Sequence, residues 1–117
     1  MEFTVEFYET EGGKSPVREF LEDLGQSDPN DHAAVVAGLS KIRNSHYHRP
    51  PLSKPIGEQL FELRHVGKLN TRVIYFFMKG KRIVVLHGIR NKAQKIPKTD
   101  YETAIIRKID WEMRHRS

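Results

Sequence analysis

The side chains best placed to do chemistry in this chain are cations set inside strand-like runs. In Leu60-Phe61-Glu62-Leu63-Arg64 apolar and charged residues alternate, which puts Phe61 and Leu63 on one face and Glu62 and Arg64 on the other. Arg72 opens Arg72-Val73-Ile74-Tyr75-Phe76-Phe77, a run otherwise apolar enough for a central strand. His87 interrupts a second apolar run, Ile83-Val84-Val85-Leu86, and Arg90, Asn91, Lys92 and Lys95 follow where that run ends. If these three strands are neighbours, Arg64, Arg72, Arg90 and Lys92 line one cationic concavity. A central-strand arginine is costly to bury unless paired, and residues 41–98 contain only two acids, Glu58 and Glu62. For Glu62 an ion pair with a neighbouring strand is the better reading; for Arg64 and Arg72 it is an anionic ligand.

Other chemistries find no foothold. There is no phosphate-binding glycine loop, HExxH or GxSxG. Cysteine is absent, which excludes disulfide frameworks, thiolate catalysis and zinc–thiolate sites. His46-Tyr47-His48 lies beside prolines with no second ligand cluster to complete a metal site, and reads as a surface loop. The charge is divided unevenly along the chain. Residues 1–40 hold two basic residues against nine acidic, residues 41–98 hold fourteen against two, and residues 99–117 balance at four each. The modest total of +5 therefore hides a middle segment of +12, a density suited to a polyanion.

The elements that must carry these residues follow from periodicity. Phe3, Val5 and Phe7 alternate with polar residues as in a strand with one buried face. Ser15-Pro16 supplies an N-cap and a first-turn proline; Val17, Phe20, Leu21 and Leu24 then form a helical stripe that Gly25 is expected to stop. Asp28-Pro29 starts a second helix, with Val35, Leu39 and Ile42 on one side, reaching about residue 45. Residues 46–57, with three prolines and Gly57, are expected to hold no regular element. Strands follow over 59–66, 70–79 and 82–90, the last two joined by a tight hairpin at Gly80. Residues 91–97 form a basic loop, and Thr99 with Glu102 reads as the capping box of a final helix to about Arg114. The order β-α-α-β-β-β-α segregates strands from helices. It predicts an α+β fold: an N-terminal strand and a helical hairpin packed on a small, mainly antiparallel sheet.

At 117 residues the whole chain, 1–117, fits one domain. Hydrophobic content of 38% with 30% charged residues is too apolar for a disordered tail and too polar for a membrane span, and no apolar run reaches the ~18 residues of a transmembrane helix. No signal peptide is evident at the N-terminus, so the cytoplasm is the expected compartment.

Several of these segments, in order, resemble the RelE/ParE superfamily of bacterial toxin–antitoxin toxins, and within it the HigB-like branch that includes phage-derived members. Ser15-Pro16-Val17-Arg18-Glu19-Phe20-Leu21 is similar to the branch's opening. Lys54-Pro55-Ile56-Gly57, Leu60-Phe61-Glu62-Leu63-Arg64, Arg72 to Phe77 and Val85-Leu86-His87-Gly88-Ile89 are similar to its later motifs. Each is short, but five in the right order and at the right separations identify the family. In Asn91-Lys92-Ala93-Gln94-Lys95-Ile96-Pro97 the chain departs from the branch's pattern, with Asn91 in place of a lysine and Ala93 in place of a threonine.

The resemblance implies a RelE-like fold and an mRNA interferase that cleaves translated message on the ribosome. In that reaction the RNA 2′-hydroxyl attacks the adjacent phosphate, with no metal or other cofactor. It needs a base, an acid and cations at the phosphorane-like transition state. On this reading Arg64, Arg72, His87 and Lys92 are catalytic, with His87 or Lys92 as base and Tyr75 a further proton-transfer candidate. Lys54, Lys79, Lys81, Arg90, Asn91 and Lys95 bind RNA. Arg72→Ala is expected to spare the fold while abolishing toxicity, and Lys92→Ala to weaken cleavage more than Lys95→Ala. The implied partners are the ribosome, its mRNA and a HigA-like helix-turn-helix antitoxin, with no membrane. A ParE-like gyrase inhibitor and a non-catalytic RNA- or antitoxin-binding member are the alternatives.

Overall fold

Val73-Ile74-Tyr75-Phe76 has no polar alternation because it is the middle of the sheet, covered on both sides. In the computed structural model, which describes residues 2–67 and 69–115, these four residues are all buried. The strands are β1 (Thr4–Phe7), β2 (Ser53–Gly57), β3 (Leu60–Val66), β4 (Asn70–Met78) and β5 (Arg82–Asn91), in the sheet order β1-β5-β4-β3-β2. β1 runs parallel to β5, and every other pair is antiparallel. The helices are α1 (Pro16–Ser27), α2 (Pro29–Lys41) and α3 (Lys98–Arg114), with one 3₁₀ turn at Ser45–Tyr47. The α+β class, the N-terminal strand and the helical hairpin are as the sequence predicts.

Two cores lie on opposite faces of the sheet. Val17, Leu21 and Leu24 of α1 and Val35 and Leu39 of α2, with Ile42 just beyond it, pack on Leu63, Val73, Tyr75, Ile83 and Val85. On the other face Ala104 and Trp111 of α3 pack on Leu60, Ile74, Phe76, Val84, Leu86 and Ile89. The helical hairpin approaches so closely that a Cβ on Gly88 would stand 2.3 Å from the Phe20 ring. Only glycine fits there without displacing that ring.

Four local expectations are corrected. Residues 53–57 do form a strand: β2 pairs with β3 at the sheet edge, with a register shift between Pro55 and Gly57, and an edge is where a proline lacking an N–H is tolerated. Gly25 does not stop α1, which continues to Ser27. Asp28 both ends α1, its N–H donating to the Leu24 carbonyl at 2.8 Å, and caps α2, its carboxylate accepting from the Asp31 N–H at 3.1 Å. Thr99 caps nothing: α3 starts two residues earlier than that cap would give, at Lys98 after Pro97, without a side-chain cap.

The fourth correction matters most for the site. Ile74 pairs with His87 but Tyr75 pairs with Val85, so β5 carries a bulge at Leu86-His87. Past the bulge the alternation of β5 is inverted. Gly88 and Arg90 face the helical hairpin, while His87 and Ile89 face α3.

Candidate active-site groove

On the α3 side of the sheet, β2, β3, the loop after β5 and the first turn of α3 enclose an open groove of about 330 Å³. Lys54, Pro55 and Ile56 line it from β2, Glu62 and Arg64 from β3, Gln94, Lys95 and Ile96 from the loop, and Tyr101 from α3. The strand period places these side chains together. Lys54 is opposite Glu62 in the β2–β3 register, and Arg64 is opposite Arg72 in the β3–β4 register, so residues two apart on β3 share the α3 side.

Arg72 lies beneath the groove, fully buried. Its Nη2 donates to the carbonyls of Ala93 and Gln94, both at 2.7 Å, and its Nε is 3.6 Å from Glu62 Oε2. Asn70 Nδ2 also donates to the Ala93 carbonyl at 3.0 Å, and Asn91 Oδ1 accepts from the Ala93 N–H at 3.0 Å. Arg72, Asn70 and Asn91 thus hold in place the loop that carries Lys92, Gln94 and Lys95. Among the described residues Glu62 is the one carboxylate lining the groove, and it is buried against Arg72. Among the described residues no carboxylate lies within ion-pair distance of Lys54, Arg64 or Lys95, and the Nε of Arg64 is buried without a hydrogen-bond partner. The groove is therefore a cationic recess with a neutralised floor, suited to a phosphate.

The predicted site residues distribute as follows. Arg64, Lys54 and Lys95 meet in the groove. Lys92 is exposed on the same loop but does not line the groove, nor does Asn91, whose Oδ1 accepts from the Ala93 N–H. The expectation that Arg72 faces a ligand is corrected, since its guanidinium is covered by the loop it holds. Arg90 is on the opposite face because of the β5 bulge, where Nη2 pairs with Asp28 at 2.7 Å and Asp31 at 3.1 Å. The partners missing from the middle segment come from the acidic N-terminal third, which counting local acids could not show. Lys79 and Lys81 are at the β4–β5 hairpin tip, at the other end of the nine-residue β4 from the 91–95 loop. That separation is roughly 30 Å at the strand rise, too far for them to join the groove.

His87 is also drawn elsewhere. It is half-buried under α3, with Nε2 at 2.7 Å from Asp100 Oδ1 and Nδ1 at 2.9 Å from Arg107 Nη1. Arg107 can only donate, so Nδ1 accepts and the proton sits on Nε2, donating to Asp100. Burial, aided by the Arg107 charge and opposed by Asp100, holds the imidazole below its ordinary 6.5. Both nitrogens are occupied, so His87 ties β5 to α3 and is not a base at the groove. Tyr75 is excluded as a proton-transfer group too: it is fully buried in the hairpin-side core, and its hydroxyl donates to Ser53 Oγ at 2.7 Å. His46 and His48 do not converge, since His48 Nε2 lies 2.6 Å from the Ile42 carbonyl and its ring packs on Phe3 and Phe77. Tyr101 is the groove residue that sequence reasoning missed. Its signal is its position, in the first turn of the helix that follows the basic loop.

Three helices on a five-stranded mixed sheet give an α+β arrangement consistent with a RelE-like fold. A family model described as phage-derived protein Gp49-like matches residues 22–108, a span that includes every groove residue, and the chain belongs to that family. The family is one of RelE-type, toxin-like proteins associated with toxin–antitoxin systems. No curated protein matches the chain. Among the described residues no helix is long and apolar enough to cross a membrane.

Proposed function

We propose that this protein is the toxin of a toxin–antitoxin pair and acts as a ribosome-dependent mRNA endonuclease of the HigB-like kind. The observation that carries this reading is the groove itself: three cations, Lys54, Arg64 and Lys95, converge where the single carboxylate is already engaged by Arg72. In the reaction the 2′-hydroxyl of the RNA loses its proton and its oxygen forms a bond to the adjacent phosphorus. The bond to the 5′-oxygen breaks, and that oxygen takes up a proton, leaving a 2′,3′-cyclic phosphate and a free 5′-hydroxyl. Arg64, which lines the groove and has no carboxylate within ion-pair distance among the described residues, neutralises the charge that builds on the phosphate oxygens. Lys54, Lys95 and Tyr101 are the groove groups able to carry the two protons. A HigA-like helix-turn-helix antitoxin is the expected neutralising partner.

The test is to map RNA 5′ ends after brief induction in a bacterial host, alongside growth. New ends within translated messages are expected, and Lys54→Ala or Lys95→Ala should each lower cleavage about a hundredfold, the usual cost of losing one transition-state donor. Lys92→Ala should cost less than Lys95→Ala, the reverse of the order the sequence suggests. Growth arrest with DNA damage and no new RNA ends would make it a gyrase-directed toxin of ParE type instead. Full cleavage by a folded Lys54→Ala/Lys95→Ala protein would remove the groove from the reaction.

A further inference from the structure

Arg64 lines a second groove as well as the first. This one, of about 460 Å³, lies between the end of α2 and the stretch leading into β2. That size falls in the ~300–1,000 Å³ range of small-ligand sites. The two grooves meet where β2 begins, since the Arg64 N–H bonds the carbonyl of Leu52, the residue preceding that strand.

We propose that this second groove seats a further nucleotide of the single-stranded RNA whose scissile phosphate occupies the first. The inference rests on the nuclease reading above and adds a contact outside the reacting phosphate. Among the described residues three cations, Lys41, Arg49 and Arg64, line the groove, and no carboxylate does. Between them are flat or apolar surfaces from Tyr47, Pro51 and Leu52. Cations tracking a backbone and an aromatic ring offering its face are the combination by which proteins hold single strands without reading sequence.

The seat is built rather than incidental. Asn44 caps the 3₁₀ turn, its Oδ1 accepting from the His46 N–H at 2.9 Å, and the Tyr47 N–H bonds the Asn44 carbonyl at 3.0 Å. The half-buried Tyr47 packs against the hairpin-side core, and Lys41 Nζ is 5.9 Å from the centre of its ring. Arg49 Nε donates to the His46 carbonyl at 3.3 Å, which ties the exposed guanidinium to the turn that carries Tyr47, and both line the groove. An acidic protein segment would satisfy the cations but would leave the ring and prolines without a planar partner, so RNA is the occupant favoured here.

The test uses the whole protein with fluorescein-labelled 2′-O-methyl oligoribonucleotides of three and nine residues, which lack the nucleophilic hydroxyl and survive intact. Anisotropy titrations at several salt concentrations should show the nine-residue strand bound at least tenfold more tightly. Tyr47→Ala and Arg49→Gln should each remove about tenfold from the nine-residue affinity and leave the three-residue affinity unchanged. Arg49→Gln should also lower the slope of log affinity against log salt by about 0.7, one phosphate contact on a single strand. Tyr47 supports the core, so the exposed Arg49 decides the matter: a folded Arg49→Gln protein with wild-type nine-residue affinity and salt slope overturns the proposal. Loss of antitoxin neutralisation with RNA binding intact would assign the groove to a protein and overturn it too. So would a wild type that binds both lengths equally, or neither. The nuclease reading fails separately, on the absence of cuts in translated message.

Discussion

Replacing Arg72 by alanine removes a fully buried guanidinium together with its two bonds to the 93–94 carbonyls. Glu62, whose side chain is 8% exposed, then keeps a buried charge with no partner. Breaking a buried ion pair by deleting one member costs about 3–5 kcal/mol. Against a usual total of about 5–15 kcal/mol, that is a large share of the stability of a domain this size. It corresponds to a fall in thermal midpoint of roughly 10–25 °C. The loss of toxicity in Arg72→Ala is therefore expected to come with a damaged fold, contrary to what its position in the sequence suggests. Arg72→Lys keeps the charge but cannot span both carbonyls and should recover only part of the midpoint. Arg72→Met with Glu62→Met removes the pair as a unit and should recover most of it, because two apolar residues replace two buried charges. Cleavage should stay low in the double variant, since the loop bearing Lys95 loses its two Arg72 bonds and is held only by Asn70 and Asn91. Thermal melts by circular dichroism with RNA-end mapping check all three. An Arg72→Ala protein melting within about 3 °C of wild type would refute the reasoning.

Two further outcomes follow from the same geometry. His87 is held below its ordinary 6.5, so at moderately acid pH the unfolded chain takes up a proton that the folded chain refuses. Its contribution to stability is present above pH 6.5 and is lost as pH falls below that value towards the lowered one; comparing melts of wild type and His87→Gln between pH 7.5 and 5 should show a shallower decline in the variant. Gly88→Ala forces the Phe20 ring away from β5 and should cost about 1–3 kcal/mol by denaturant titration, with Phe20→Leu restoring part of it.

Much of the scaffold was legible because each element's signal is local. Pro16 after Ser15 sets the start of α1, the strand alternation of residues 60–64 sorts Glu62 from Phe61, and the lysine–glycine turn at Gly80 joins β4 to β5. The edge strand β2 was not legible, because its proline is permitted only by the absence of a neighbour on one side, a fact of sheet order. Arg90 and His87 were misplaced for a related reason. A bulge leaves no mark in hydrophobic alternation, yet it moved each of them to the opposite face from the one that simple counting gives. Tyr101 reached the groove only because α3 folds back across the sheet.

What the sequence determined by itself is the class of fold, the absence of thiol chemistry and the concentration of cations in the middle segment, because composition and period are properties of the chain. Which cations remain available was decided by tertiary structure alone. Folding brings Glu6 to within 2.6 Å of Arg82, Asp28 and Asp31 to Arg90, and Glu62 to Arg72, so three arginines of the middle segment are neutralised internally by acids distant in sequence or across a strand. In the first groove the potential that a phosphate would feel comes from the lining cations without such partners, Lys54, Arg64 and Lys95, and a Coulomb interaction depends on distance in space rather than along the chain.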